Sequence, residues 1–189
     1  MGIHTIKQRA VFLDRDGVIN CAVVRDGKPY PPYSKDELQI PSDVPEALAR
    51  LQTEGFRLMV VTNQPDVARG IQTRAGVEGI HQAILDFGLP IDSFRVCYHD
   101  DCDDCDCRKP KPGMLIDVAR EQGLVLGDCF MVGDRWRDIA AGRQAGCKTI
   151  LIDYDYDEIE FCEPHVRVHS LSEAVDWILT QSSRKVETL

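Results

Sequence analysis

The chain has 189 residues, 43% of them hydrophobic, and a formal net charge of −9 at pH 7. This length suffices to bury a substantial core, so we expect a single domain over residues 1–189. The negative charge argues against nucleic acid or an anionic membrane as the main partner. No secretion signal precedes the first predicted strand and no apolar run approaches the length of a membrane span, so we expect a cytoplasmic protein.

Residues 10–20 carry two carboxylates directly after an apolar run. The run at 11–13 predicts a buried strand of a parallel sheet, which ends on Asp14, and Asp16 follows two residues later. Parallel strands deliver their C-terminal ends to the crevice where open α/β sheets bind ligands. Two carboxylates this close repel each other unless a cation or a proton lies between them, so we expect a divalent metal. Taken alone, Asp16-Gly17 is equally compatible with a plain turn.

Strands and helices alternate along the rest of the chain. Residues 25–33 are too rich in proline for a helix and predict a loop or a short β-flap over the site. Ser42 or Asp43 is expected to cap the first helix, and Gly55 to end it. Helices are expected at about 44–53, 74–87, 113–123, 136–145 and 171–179, and strands at 56–61, 94–98, 129–132, 149–152 and 166–168. This alternation predicts a parallel sheet with right-handed crossovers.

Polar groups follow three of the predicted strands and should meet at one edge of the sheet. They are Asp14 with Asp16, Thr62 with Asn63, and Asp134. A cationic run at 108–111 lies between the last two strand ends and suits a dianionic group that must be held against carboxylates. Such runs are usually solvated surface charges. Here prolines on both sides of Lys111 stiffen the segment, which favours a functional role.

Residues 97–107 contain a compact set of soft metal ligands. Cys97, His99, Cys105 and Cys107 form the Cys3His set of a closed structural zinc site. Cys102 is expected to be a bystander, since tetrahedral zinc needs four ligands. The remaining cysteines are scattered and predict small apolar side chains or idle thiols; they are Cys21, Cys129, Cys147 and Cys162.

The chain resembles the haloacid dehalogenase phosphatases in all four of their motifs, in order. These motifs are Asp14-Arg15-Asp16-Gly17, Thr62-Asn63-Gln64, Lys109, and Gly133-Asp134 followed by Asp138. No large cap domain fits between them, so the resemblance is to the capless branch. It implies a three-layer, Rossmann-like α/β fold with a parallel sheet, to which this chain adds the zinc-binding loop at 97–107.

Within that branch the chain resembles the heptose bisphosphate phosphatases, with the histidinol-phosphate phosphatases as near relatives. The likeness rests on residues 62–64, 68–70, 97–99, 105–110 and 112–114. Pro65-Asp66 stands where the heptose enzymes usually have Ser-Gly, and Tyr98 replaces a usual proline. Histidinol phosphate or another small ester therefore stays open as the substrate. A 3′-phosphate on DNA is disfavoured by the acidic charge of the chain, and a zinc-loop binding module without catalytic activity is disfavoured by the intact motif residues.

The resemblance implies a magnesium-dependent phosphomonoester hydrolase that acts through an aspartyl phosphate. Asp14 is the expected nucleophile, Asp16 the general acid and base, and Thr62 and Lys109 the groups that stabilise the phosphoryl group. Mg²⁺ is expected on Asp14, Asp16 (through its backbone carbonyl) and Asp134, with Asp138 behind them. Substrate binding falls to Asn63, Gln64, Arg108 and Lys109. The expected substrate is a small phosphorylated sugar carrying a second anionic group, and the expected state is a monomer.

Overall fold

A six-stranded sheet, parallel throughout, is the framework of the fold. The computed structural model describes residues 8–25, 28–156 and 162–183. The sheet has the order β5-β4-β1-β6-β7-β8. Its strands are β1 Arg9–Leu13, β4 Phe56–Asn63, β5 Ser93–Cys97, β6 Phe130–Gly133, β7 Lys148–Ile152 and β8 Val166–Val168. The predicted parallel α/β sheet is therefore confirmed.

A small antiparallel hairpin follows the first strand of the sheet. It pairs β2 Val23–Arg25 with β3 Lys28–Tyr30, and Val23 lies opposite Tyr30. The structure thus favours the β-flap among the two conformations predicted for residues 25–33, while residues 26 and 27 lie outside the described part of the chain. This hairpin and a short 3-10 turn at Lys35–Glu37 occupy the segment between β1 and the first helix.

Five helices connect or follow the strands: α1 Val44–Thr53, α2 Arg74–Asp86, α3 Gly113–Gln122, α4 Trp136–Ala145 and α5 Leu171–Ser183. The bounds of α1 and α4 are those predicted, whereas α5 continues past its predicted end at residue 179. The predicted side-chain cap of α1 is wrong. Asp43 occupies the N-cap position without a capping hydrogen bond, because its Oδ2 accepts from the backbone N of Ser172 at 3.2 Å.

The helices cover both faces of the sheet and divide the core into two clusters. Val11 and Leu13 of β1 point into the cluster formed with α1, α2 and α5. Ala10 and Phe12 point into the opposite cluster, formed with α3 and α4. Each fully buried aliphatic side chain of this kind contributes roughly 1.5–3 kcal/mol. The result is the expected three-layer arrangement of helices, sheet and helices. Of the helices in the described ranges, none has the length and apolar character that crossing a membrane requires.

The register of the central strands fixes where the polar strand ends meet. Leu13 lies beside Val60 on one side and Val132 on the other, and the backbone N of Asp14 donates to Val132 O at 2.9 Å. Asp14 therefore leaves the sheet between the ends of β4 and β6. The carboxyl ends of these three strands form the edge at which the candidate site lies.

Candidate active site

A buried lysine lies at the centre of the site, between two carboxylates. Lys109 Nζ is 2.7 Å from Asp14 Oδ1 and 2.5 Å from Asp138 Oδ1, and it donates to Val61 O at 2.7 Å. Burial alone would lower the pKa of Lys109, but Asp138 and Asp14 outweigh it and raise the pKa above its ordinary value. The ammonium is therefore a permanent positive charge next to Asp14.

Burial disfavours the ionised form of two neighbouring carboxyl groups, those of Asp14 and Asp134. Burial raises the pKa of Asp14 to about 7, with Lys109 opposing the shift and Asp138 and Asp16 adding to it. Burial and the charge of Asp14 raise the pKa of Asp134 as well. Neither buried oxygen of Asp134 accepts a hydrogen bond of normal geometry from the described residues. Such a group calls for a proton or a cation.

Oxygen atoms of three acids could surround that cation. One oxygen each from Asp14, Asp134 and Asp138 lies within 4.8 Å of the others, and hard oxygen donors are what Mg²⁺ prefers. Asp138 also holds Lys109 and accepts from the backbone N of Arg135 at 3.2 Å. Asp14 and Asp134 are thus the better candidates for direct ligands, as the sequence predicts, and the donor set fits magnesium.

Two glycines allow these acids to come close together. Gly17 has a φ of +87°, and a Cβ there would lie 2.1 Å from Asp134 Oδ2. A Cβ on Gly133 would lie 2.1 Å from Asp138 Cβ. The glycines of the first and the acidic motifs are therefore required by space, and at Gly17 also by backbone conformation.

Asp16 lines the same cavity but is held by neutral and cationic donors. Arg15 donates to it through Nε at 3.1 Å and Nη2 at 2.9 Å. Asn20 Nδ2 and Gln64 Nε2 add hydrogen bonds of 3.0 and 2.9 Å. The carboxylate is thus fixed at the cavity wall.

The side chains of the second motif make hydrogen bonds within the protein. Asn63 Nδ2 donates to Lys109 O at 2.9 Å, and the backbone N of Lys109 donates to Asn63 Oδ1 at 3.1 Å. Thr62 is buried and accepts from Gln64 Nε2 at 2.9 Å. Of these three motif residues, only Asn63 is among the described residues that line the cavity. The structure therefore places Thr62 and Gln64 behind the cavity wall, where they support Asp16 and the β4 end.

The cavity has a volume of about 280 Å³, and its wall carries six carboxylates and five cations. Three of the cations were not predicted: Arg69, Arg135 and Arg137. The last two flank Trp136 immediately after Asp134, a proximity to the acidic motif that could have identified them. Asp101 of the cysteine loop accepts from Arg108 Nε at 2.8 Å and Arg137 Nη1 at 3.0 Å. Asp100 binds Arg69 Nη2 at 2.6 Å.

The cysteine loop brings its four predicted zinc ligands together. Sγ of Cys97 is 3.7 Å from Sγ of Cys105 and 3.2 Å from Sγ of Cys107, and His99 Nδ1 is 3.3 Å from Sγ of Cys107. Ligands about 2.3 Å from a tetrahedral zinc lie about 3.8 Å apart, so the donor set fits zinc. Burial raises the pKa of the Cys97 thiol, so a thiolate at this position would need a bound metal to stabilise it. Cys102 is exposed and is not one of the four clustered side chains.

The chain is similar to known proteins in sequence and in fold. Residues 106–174 match the HAD-hydrolase-like family model. The chain is 37% identical over 146 residues to a D-glycero-β-D-manno-heptose-1,7-bisphosphate 7-phosphatase of Pseudomonas aeruginosa, covering 75% of this chain and 79% of the relative. It is 30% identical over 177 residues to a phosphatase of the same name from Helicobacter pylori, covering 90% and 97%.

A solved structure shares the fold over nearly the full length. It is a D,D-heptose 1,7-bisphosphate phosphatase from Bordetella bronchiseptica, complexed with magnesium and phosphate. The two superpose with a TM-score of 0.75 at 29% identity, covering 92% of this chain and 99% of the other.

Proposed function

Because the chain belongs to the haloacid dehalogenase phosphatases, in the family of the heptose 1,7-bisphosphate 7-phosphatases, we propose that it removes the 7-phosphate of D-glycero-D-manno-heptose 1,7-bisphosphate. The observation that carries this proposal is the buried set of Asp14, Lys109 and Asp134 at one end of the sheet. A nucleophilic carboxylate, a fixed cation and an uncompensated acid are the parts that phosphoryl transfer needs.

The proposed reaction is a double displacement on Asp14. Its carboxylate attacks phosphorus, and Asp16 gives a proton to the departing sugar oxygen. Asp16 then takes a proton from the water that cleaves the aspartyl phosphate. Lys109 keeps its charge throughout and offsets the negative charge that gathers on the phosphoryl oxygens.

Asp14, Asp134 and the backbone carbonyl of Asp16 would hold Mg²⁺ in the same cavity. This ion supplies charge neutralisation, so that the anionic nucleophile and the anionic phosphate can meet. The support from this chain is the pair of buried oxygens on Asp134.

The cysteine loop would hold one Zn²⁺ through Cys97, His99, Cys105 and Cys107. With four protein ligands and no open position, this site is structural. It fixes the loop that supplies Arg108 and Lys109 to the cavity.

The second anionic group of the substrate would bind at Arg108. Its side chain is 11% exposed and shares the Asp101 carboxylate with Arg137. A phosphate that displaces Asp101 would find two guanidinium groups converging on one point, an arrangement suited to anion recognition.

Histidinol phosphate is the second candidate substrate. Asp66 and Asp101 both line the cavity and offer negative charge to a cationic amine. The test measures kcat/KM for phosphate release from heptose 1,7-bisphosphate and from histidinol phosphate, with and without magnesium. The ratio of the two values identifies the preferred substrate. We expect the heptose bisphosphate to be preferred, and preference for histidinol phosphate would overturn the proposed substrate. Absence of magnesium-dependent turnover of any ester would overturn the proposed function as a whole.

A further inference from the structure

A buried line of contacts leads from Asp16 to the helix α2. Arg15 is fully buried, and it uses Nε and Nη2 to bind Asp16. Its remaining nitrogen, Nη1, lies 3.2 Å from His81 Nε2. The guanidinium therefore has one partner on each side and cannot turn without breaking a contact.

His81 is itself held on three sides. Its ring stacks on Phe94 with centroids 4.4 Å apart and an interplanar angle of 18°. Nδ1 lies 3.3 Å from Glu78 Oε2, and Glu78 also accepts a hydrogen bond from the Tyr98 hydroxyl. Burial, with the nearby charge of Arg15, lowers the pKa of His81 to about 4. The neutral ring thus donates from Nδ1 to Glu78 and accepts at Nε2 from Arg15.

We propose that His81 is a positioning residue for the general acid: it fixes Arg15, and Arg15 fixes the Asp16 carboxyl at the cavity wall. The inference rests on the proposed function, because it needs Asp16 to protonate the departing oxygen. No other described side chain accepts a hydrogen bond from Arg15 Nη1.

This role has a consequence that depends on the leaving group. A sugar alkoxide is a poor leaving group and needs the proton from Asp16 as the ester bond breaks. Nitrophenolate is stable as an anion and leaves unaided. Misplacing Asp16 therefore slows cleavage of the sugar ester and spares cleavage of the aryl ester. The ratio kcat/KM is the proper measure, since it ends at the first irreversible step, departure of the alcohol.

The test compares His81→Phe with the wild type on heptose 1,7-bisphosphate and p-nitrophenyl phosphate. Phe retains an aromatic ring against Phe94 but removes the acceptor. We expect kcat/KM on the sugar ester to fall at least about tenfold, a fraction of the 10²–10⁴ that general acid catalysis supplies, and kcat/KM on the aryl ester to change less than about twofold. His81→Gln, whose Oε1 accepts from Arg15, should recover part of the loss. Gln82→Ala, on the same helix, is the matched control and should alter neither substrate.

Equal losses on the two esters, or a loss on neither, would overturn the proposal, because a purely structural role does not distinguish leaving groups. If His81→Phe does not fold, Glu78→Ala serves instead, since the Glu78 side chain is 60% exposed. It should give a smaller loss confined to the sugar ester, and an unselective effect would count against His81 in the same way. A wild-type chain inactive on both esters would instead overturn the proposed function itself.

Discussion

At the scale of single residues, the site buries several charged side chains close together. Lys109 is 2% exposed and holds two carboxylates, and the oxygens of Asp134 are buried without hydrogen bonds of normal geometry from the described residues. Charged groups are costly to bury unless they are paired. The arrangement is therefore suited to binding a cation and a phosphate rather than to stabilising the fold.

The first prediction concerns Asp14→Asn. The amide cannot act as the anionic nucleophile, so we expect turnover to fall by at least about a thousandfold, as removal of a nucleophile requires. Without added magnesium, the same change should raise Tm. A carboxyl whose folded-state pKa is about 7 instead of 3.8 destabilises the fold once it is ionised.

The rise in Tm expected for Asp14→Asn depends on pH, because the pKa of Asp14 is raised in the folded state. Above pH 7 Asp14 is ionised and the full destabilisation is present. As the pH falls from about 7 towards 3.8, Asp14 becomes protonated and the destabilisation fades. Thermal unfolding of both proteins from pH 8 to pH 5 should therefore show the Tm advantage of Asp14→Asn shrinking. A constant or inverted difference would contradict this account.

The second prediction concerns Arg108→Ala. It should lower kcat/KM on the bisphosphate by about 1.5–3 kcal/mol, the range for hydrogen bonds to charged groups, and affect a monophosphate much less. Lys111→Ala is the matched control, because Lys111 is a nearby cation paired with exposed Asp104 outside the cavity. Equal losses on both substrates would mean that Arg108 serves the transferring phosphate, and the argument for a second anionic group would fail.

At the scale of elements, the cysteine loop positions Arg108 in the cavity, since Arg108 donates to Asp101 and to the backbone carbonyl of His99 in that loop. The third prediction is that purified protein holds one zinc per chain, which Cys105→Ser loses and Cys102→Ser retains. Loss of zinc should misplace Arg108 and lower kcat/KM, since small displacements of binding groups are costly. Metal analysis and kinetics on the two variants check this. Full zinc in Cys105→Ser with loss in Cys102→Ser would reverse the choice of ligands.

The elements themselves were largely predictable because their signals are local. Apolar runs such as Val11-Phe12-Leu13 predict buried parallel strands, and Gly55, with its φ of +78°, ends α1 as expected. The cap of α1 was not predictable, since the Asp43 carboxylate binds the backbone N of Ser172, 129 positions away. A propensity for capping is a preference that a distant partner can override.

The candidate site was predictable only where sequence motifs carry it. Asp14 and Asp134 lie together as their positions at strand ends imply. Lys109, which follows no strand, joins them as the resemblance implies. The cations Arg69, Arg135 and Arg137 were missed. For Arg135 and Arg137 the signal was their proximity to Asp134, whereas Arg69 reaches the cavity through the fold of the segment that follows β4. The contact between Arg15 and His81 spans 66 positions and depends on the packing of α2 against the sheet, which no local pattern specifies.

At the scale of the whole molecule, both core clusters share one sheet, and we propose that residues 1–189 fold as one domain around it. The fourth prediction follows from the net charge of −9. A 3′-phosphorylated oligonucleotide should be hydrolysed at least about a thousandfold less efficiently than the heptose bisphosphate, since a polyanion is repelled by the chain as a whole.

Ionic strength provides the check on that prediction. Added salt screens the repulsion, so turnover of the oligonucleotide should rise with salt. A protein with a basic groove would show a steep fall instead. Efficient cleavage of the oligonucleotide that falls steeply with added salt would restore the DNA 3′-phosphate as a candidate substrate.

The paired hydrogen bonds between Asn63 and the backbone of Lys109 have a consequence for engineering the chain. They tie Lys109, the second residue after the cysteine loop, to the end of β4, so Lys109 does not depend on residues 100–104 for its position. Those five positions can therefore be exchanged as a cassette between two fixed anchors, the metal ligands and the Asn63 contact. Substrate preference and bond cleavage thus depend on different segments of the chain. Variant libraries confined to residues 100–104 should change the substrate preference without impairing cleavage of the phosphate ester.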